Sequence, residues 1–361
     1  MGPLRLLWGR SNAHLAEAIA QEIKKEMSHN SRYGGIEAHL INDMEFSNFA
    51  DGEIKLNISA SIRGNDVFII QSTQPPAENL VELLLMIDAA KRASAGRVTA
   101  VVPYFGYARQ DRKDAPHVPI SSKLMANLLT TAGADRILTI DLHAPQIQGF
   151  FDIPADHLLS DKLFIHQLKK DEELWESLQQ KNFVVVSPDT GGVKRSELFL
   201  SSLVQEKGWD REKNFSYTSF FRDHTAIFYK IRYGKDKAIV SDKPLGHVEG
   251  KLAIIRDDIV DTAGTIREVI EKLVAINNND FDRKVICCIT HGILVDKSAS
   301  GNLNTENVKR AIRKIYVTDT VPLSEHNRIA LKETLEVVSV ATLFANAILR
   351  IHLNESLSSL F

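Results

Sequence analysis

The stretch Lys251-Leu-Ala-Ile-Ile-Arg-Asp257-Asp258-Ile-Val-Asp261-Thr262-Ala263-Gly264-Thr265-Ile266 decides how the rest of the chain is read. A buried β-type run ends in two acids, and a turn of small residues then opens a helix. Across Thr262 to Thr265 the backbone N–H groups can converge on one anion, with threonine hydroxyls and the helix N-terminus adding to the field. Asp257 and Asp258 would repel a bare phosphate. As acceptors they suit the vicinal hydroxyls of a ribose instead. Acids for a sugar beside a cradle for an anion are what a phosphorylated pentose requires. A surface turn with an aspartate cap is the plainer reading, and it accounts for Asp261 alone.

Outward from this segment, short β-rich runs alternate with helical patterns. Strands are expected at 4–8, 66–71, 98–102, 136–142, 183–186, 226–232, 252–255 and 284–290. Helices are expected at 12–26, 79–92, 121–131, 161–169, after Gly192 and at 265–275. Such alternation implies α/β architecture with mostly parallel sheets flanked by helices. The interruption from Phe151 to Leu158 marks a seam. It divides the chain into residues 1–157 and residues 158–339, with a terminal helix within 340–361 that could pack back on the first part.

At 361 residues the chain is long for one core, and two domains follow. The net charge of −2 gives no long-range field for a nucleic-acid backbone, so phosphates must be met by local devices. The two cysteines, Cys287 and Cys288, are adjacent on a strand pattern and point to opposite faces, which argues against a mutual disulfide and fits a reducing cytosol. No stretch reaches membrane-spanning length, and the cytoplasm is the expected location.

Three further segments follow strands or turns. Phe49-Ala50-Asp51-Gly52-Glu53 offers a ring face and carboxylate acceptors, though alone it reads as a hairpin turn beside a core Phe. Pro103 to Lys113 leaves a buried strand and carries Arg109, Gln110 and Asp111, where a guanidinium fork could bind phosphate oxygens. Asp141-Leu142-His143 and Ser187-Pro188-Asp189 each emerge from a strand end, the second followed by Gly191-Gly192 and by Lys194 and Arg195, which could be mere helix-face charges. Lys230 and Arg232, two apart on a strand, share a face and could reach one polyphosphate together.

Taken together, these motifs resemble the ribose-phosphate pyrophosphokinases, a family built from two tandem type I phosphoribosyltransferase-like domains. The resemblance runs from Leu4 to Phe361. It implies an enzyme that moves the diphosphoryl group of ATP to O1 of ribose 5-phosphate, giving 5-phosphoribosyl 1-pyrophosphate and AMP. A non-catalytic regulatory subunit of the same family is the alternative. By resemblance Asp257, Asp258, Asp261, Thr262, Ala263, Gly264 and Thr265 hold ribose 5-phosphate, with Arg232. Phe49, Asp51, Gly52, Glu53, Arg109, Gln110 and Asp111 hold ATP. His143 and Asp189 bind Mg²⁺, and Lys230 and Arg232 are catalytic on a lid hairpin within 226–250 that also carries Lys235, Lys237 and Lys243. A homo-oligomer, dimer or hexamer, is implied, with neither nucleic acid nor membrane as partner.

The chain also departs from the family pattern. Arg256 stands where an apolar residue usually precedes the acids, either facing away or biasing the pocket's charge, and His117 stands where arginine is usual. An insertion around Gly208 to His224 carries Trp209, Phe215, Tyr217, Phe220 and Phe221, too apolar for a loose loop, so it should pack on its domain or at a subunit contact.

Overall fold

Runs of aliphatic and β-branched residues become parallel strands covered on both sides, which is why several are buried at every position. The computed structural model describes residues 2–232 and 238–360. They form two units, one of residues 1–159, 320–322 and 339–361, the other of residues 160–319 and 323–338.

In the first unit the strands are β1 (Leu4–Trp8), β2 (Ala38–His39), β5 (Asp66–Ile70), β6 (Arg97–Val102), β7 (Arg136–Ile140) and β8 (Ala155–Leu158). Between β2 and β5 lies the hairpin of β3 (Met44–Asn48) and β4 (Ile54–Ile58). The sheet is parallel throughout, in the order β2-β1-β5-β6-β7-β8. Helices α1 (Ala13–His29), α2 (Glu78–Arg92) and α3 (Ser121–Ala132) connect strands, and α3 stops at Gly133 in the left-handed conformation. One core joins Val67, Ile69, Val98 and Ala100 of the sheet to Leu83 and Ile87 of α2 and Leu129 of α3.

The second unit repeats the architecture. Its helices are α4 (Asp161–Lys170), α5 (Glu172–Gln179), α6 (Val193–Lys207), α7 (Tyr217–His224), α8 (Gly264–Ile276), α9 (Asp296–Leu303), α10 (Glu306–Ala311) and α11 (Glu325–Ala330). Its strands are β9 (Phe183–Ser187), β10 (Thr225–Ile227), β13 (Leu252–Val260), β14 (Val285–Gly292), β15 (Ile312–Thr318) and β16 (Leu335–Val338), parallel in the order β10-β9-β13-β14-β15-β16. A two-stranded antiparallel piece, β11 (Lys230–Arg232) and β12 (Ala238–Val240), stands apart from that sheet.

Side-chain alternation divides the unit into two cores. Val184, Val186, Ile255 and Cys287 face α8, while Phe183, Val185, Ile254 and Cys288 face α4, α6 and the inserted aromatics. The two cysteines thus lie on opposite faces, and burial pushes both thiols up, Cys288 to about 12. The last helix, α12 (Ala341–His352), belongs to the first unit and packs on α1.

Some strand limits differ from expectation. The run 226–232 is not one strand: β10 pairs with β9, and β11 pairs with β12 instead. Strand β13 continues through the acids to Val260, because Ile259 and Val260 keep pairing with His291 and Gly292. The acids therefore sit within the last turn-facing residues of a strand, not beyond its end. The insertion packs on its own unit: Trp209 is buried and lies 5.8 Å from the Phe183 ring and 5.4 Å from that of Phe220.

Candidate functional site

In the second unit the acid pair, the anion loop and a basic residue meet at the carboxyl edge of the sheet, where open parallel sheets hold their ligands. Strand β13 lies between β9 and β14, so the loop after β9 and the loop after β13 are neighbours. Ser187 Oγ donates to the Asp189 carbonyl at 2.7 Å, and Asp189 Oδ1 accepts from Gly192 N–H at 3.1 Å. A Cβ on Gly192 would come within 2.7 Å of Ser187 Oγ, so this turn is tight. It leads into α6, whose first turn carries Arg195. Arg195 Nη1 lies 3.2 Å from Asp258 Oδ1 and 3.6 Å from Asp257 Oδ1. Burial, then the adjacent Asp258 carboxylate, push the Asp257 carboxyl well above its ordinary range, Asp189 adds to the push, and Arg195 opposes it.

After β13 the chain turns at Ala263, whose φ of 60° is left-handed, and enters α8 without a side-chain cap. The first N–H groups of α8 are thus not taken by a capping side chain, the arrangement that receives an anion. Val295 N–H donates to the Asp261 carbonyl at 3.0 Å, and Asn302 Nδ2 donates to the Thr262 carbonyl at 2.7 Å, fixing the turn from outside. Lys230 Nζ donates to Thr265 Oγ1 at 2.7 Å, which brings the hairpin lysine to the anion loop. Of the hairpin, Lys235 and Lys237 lie outside the described residues.

Arg256 faces away from this edge. It is fully buried on the α4 side, and its Nε lies 2.9 Å from Asp161 Oδ1. The alternation of β13 explains the choice, since Asp257 follows Ile255 onto the other face.

In the first unit the hairpin of β3 and β4 turns through Phe49 to Glu53. Phe49 N–H donates to Glu53 O and Gly52 N–H to Phe49 O, both at 2.9 Å, and Gly52 has φ 98°. Phe49 is not a core residue here: it is 53% exposed, with its ring centroid 5.7 Å from Lys55 Nζ. Asp51 and Glu53 are exposed beside it. After β6 the chain is locked by Thr73, whose Oγ1 accepts from Gly106 N–H at 2.8 Å, and a Cβ on Gly106 would strike the Thr73 carbonyl. That lock presents Arg109 and Gln110 to solvent, with Ser121 Oγ donating to Gln110 Oε1 and Asp111 half-buried. His117 is exposed with φ 63°. His143 is half-buried in the loop after β7, which starts at the left-handed Asp141 and is held where Leu142 N–H donates to His157 Nε2 at 2.8 Å. The loops after β6 and β7 leave the same edge of one parallel sheet.

The sequence alone reads Arg195 equally as a helix-face charge. Its place in the first turn after Gly191-Gly192 was the available signal, since that turn points back at the strand ends. Lys194 is by contrast a solvated residue near Glu197. Asn302 carried no local signal, because its role depends on α9 packing beside α8.

Mg²⁺ prefers oxygen and usually takes one or two carboxylates, with waters or substrate phosphates completing its shell. Among the described residues no three His, Cys, Asp or Glu side chains form a cage. Asp189, a carboxylate whose Oδ1 accepts from Gly192 N–H, fits an ion of that partly substrate-held kind.

A doubly repeated parallel α/β fold with acids and an anion loop at one sheet edge defines a type I phosphoribosyltransferase-like protein. Residues 4–133 match the N-terminal domain of ribose phosphate pyrophosphokinase, and residues 232–361 match the phosphoribosyl synthetase-associated domain. A ribose-phosphate pyrophosphokinase of Chlorobaculum tepidum is 44% identical over 99% of this chain and 95% of its own length. One from Thermotoga maritima is 41% identical over 99% and 98%. The crystal structure of phosphoribosylpyrophosphate synthetase from Mycobacterium smegmatis superposes with a TM-score of 0.76 at 35% identity, covering 98% of this chain and 99% of that one. The chain belongs to the ribose-phosphate pyrophosphokinase family.

Proposed function

We infer that this chain transfers the diphosphoryl group of ATP to ribose 5-phosphate. The observation that carries the reading is the grouping of Asp257, Asp258, Arg195 and the uncapped α8 turn, with Lys230 already bonded to Thr265. An acid pair beside an anion cradle matches the vicinal hydroxyls and terminal phosphate of one pentose phosphate. The loop Asp261 to Thr265 takes the 5-phosphate through its backbone N–H groups, and Asp257 and Asp258 accept from the ribose hydroxyls. That grip aims O1 outward.

ATP is held by the exposed Phe49 ring under adenine, by Asp51, Gly52 and Glu53 around it, and by Arg109, Gln110 and Asp111. In the transfer, O1 bonds to the β-phosphorus, and the bond from that phosphorus to the α,β-bridging oxygen breaks. Its electron pair leaves with AMP, and the O1 proton passes to solvent. Lys230 and Arg232 meet the charge that grows on the equatorial and bridging oxygens. His143 in the first unit and Asp189 in the second would each bind Mg²⁺, which when bound neutralises phosphoryl oxygens. The exposed Phe49 hairpin is also the kind of surface that a homo-oligomer, dimer or hexamer, would cover; sedimentation tests this.

The functional test is AMP release from Mg-ATP. It should require ribose 5-phosphate, and a Lys230→Ala variant should lose about a hundredfold or more in kcat while remaining folded. AMP formation that ignores ribose 5-phosphate would sink the reading. A regulatory subunit would give no AMP at all, whereas the relatives of Chlorobaculum tepidum and Thermosipho africanus that match along the whole chain are named ribose-phosphate pyrophosphokinases.

A further inference from the structure

The buried Arg256 has no part in the reaction as derived above, yet it contacts the strand residue that bears the first acid. Its side chain is wholly enclosed on the α4 face, with the guanidinium carbon 5.1 Å from the Phe164 ring centroid. Nε donates to Asp161 Oδ1 at 2.9 Å, and Nη2 donates to Ser160 Oγ at 2.9 Å. Nη1 donates to the Asp257 carbonyl at 2.6 Å and to Thr290 Oγ1 at 3.1 Å. Ser160 Oγ and Thr290 Oγ1 are themselves 3.0 Å apart. One planar group therefore ties together the start of α4, the middle of β14 and the peptide that joins Asp257 to Asp258.

A guanidinium presents donors in a fixed fork, and a lysine ammonium cannot reach the same directions at once. A core position needs no such group for stability, since a buried ion pair is often matched by apolar residues of similar volume. What an apolar residue could not supply is a donor for the Asp257 carbonyl. That carbonyl sets the orientation of the following peptide, and with it the angle at which the two carboxylates leave the strand.

We propose that Arg256, braced by Asp161, is a positioning residue for the acid pair that orients the ribose ring. The proposal rests on the functional reading above. It predicts a selective loss for the sugar substrate, since the nucleotide is held elsewhere. Geometry errors of an ångström at a reacting group cost large factors in rate, so a shift of this peptide should be visible in kinetics.

The experiment measures kcat and both KM values for the wild type, Arg256→Lys, and the double variant Arg256→Leu/Asp161→Leu. Unfolding temperatures are recorded alongside. The double variant removes both members of the buried ion pair together, so neither is left facing the other's vacancy. It should fold while its KM for ribose 5-phosphate rises about tenfold or more and its KM for ATP changes less than about twofold. Arg256→Lys keeps the charge beside Asp161 and should show the same selective rise, smaller in size. Wild-type KM values for both substrates in a folded double variant would overturn the proposal, as would equal rises for both substrates. Loss of folding in both variants would overturn it too, making the pair a core brace only. An inactive wild type would instead sink the functional reading on which it rests.

Discussion

At the scale of single residues, two neighbours on β13 are held in opposite ways: burial and Asp258 push the Asp257 carboxyl above its ordinary range, while the buried Arg256 is paired with Asp161. Asp257, Asp258 and the Thr262-to-Thr265 turn were legible because acids, threonines and glycine fall in register after a strand. The direction of Arg256 was not legible, since a charge inside an apolar run gives no hint of its partner, and Asp161 lies 95 residues away. Asp257 illustrates how a site strains its own fold. Burial and the Asp258 carboxylate favour its neutral form, so its folded pKa stands above the unfolded value of about 3.9. Stability from this group is then present below that value and is lost as pH rises through the folded pKa. Asp257→Asn should therefore raise the unfolding temperature of the unliganded protein at neutral pH, by about 2–4 °C for each kcal/mol relieved. The gain should vanish near pH 4. Calorimetry across that range decides it, and a variant less stable than wild type at pH 7 would contradict the account. The same change should weaken use of ribose 5-phosphate.

Among the elements, strongly patterned strands and long amphipathic helices were readable, and short connected pieces were not. Strand β16 and helices α9 to α11 escaped because their runs are brief and their burial depends on neighbours, and β15 escaped because Arg313 and Lys314 interrupt its apolar run. The run 226–232 misled because β-type residues continue across a break in pairing partner. The inserted α7 region was legible through its aromatics, which stack into the sheet face through Phe183. Trp209→Ala should cost about 3–5 kcal/mol of stability. Trp209→Phe should cost much less, because the buried indole N–H has no acceptor among the described residues. Denaturant titration of the two variants separates these outcomes; equal losses would mean that ring packing is not what holds the insertion.

Helix α12 gives the first unit a different kind of tie. Its His352 Nδ1 lies 2.8 Å from Asp66 Oδ2, and Arg97 holds both oxygens of that buried carboxylate at 2.7 and 2.6 Å. Burial alone would raise the Asp66 pKa, but the hydrogen bonds from His352 and Arg97 prevail and hold it below the ordinary value. The contribution is thus complete above about pH 4 and is lost as pH falls through the lowered folded pKa. Arg97→Met should destabilise the first unit by about 3 kcal/mol at neutral pH and flatten its acid dependence. Thermal melts from pH 7 to pH 2 test both parts, and an unchanged slope below pH 4 would refute the tie.

At the scale of the whole molecule, family and fold were legible along nearly the entire length, because the motifs recur at strand ends from Phe49 to Thr265. What the sequence left open was chain routing: residues 320–322 return briefly to the first unit, and residues 339–361 return for good once 323–338 have completed the second. There Ser72 Oγ donates to the Thr320 carbonyl at 2.7 Å, and Phe344, Ala345 and Ile348 of α12 are buried. This routing has a consequence for synthesis. The ribosome emits residues 1–159 first, yet the apolar side of α1, with Leu15, Ile19 and Ile23, lacks its covering helix until α12 emerges some 200 residues later. At elongation speeds of about 5–20 residues per second that wait is roughly 10–40 seconds. The half begun earliest is therefore sealed last, and a nascent chain stalled before residue 340 would leave that side open to chaperones or to other nascent chains.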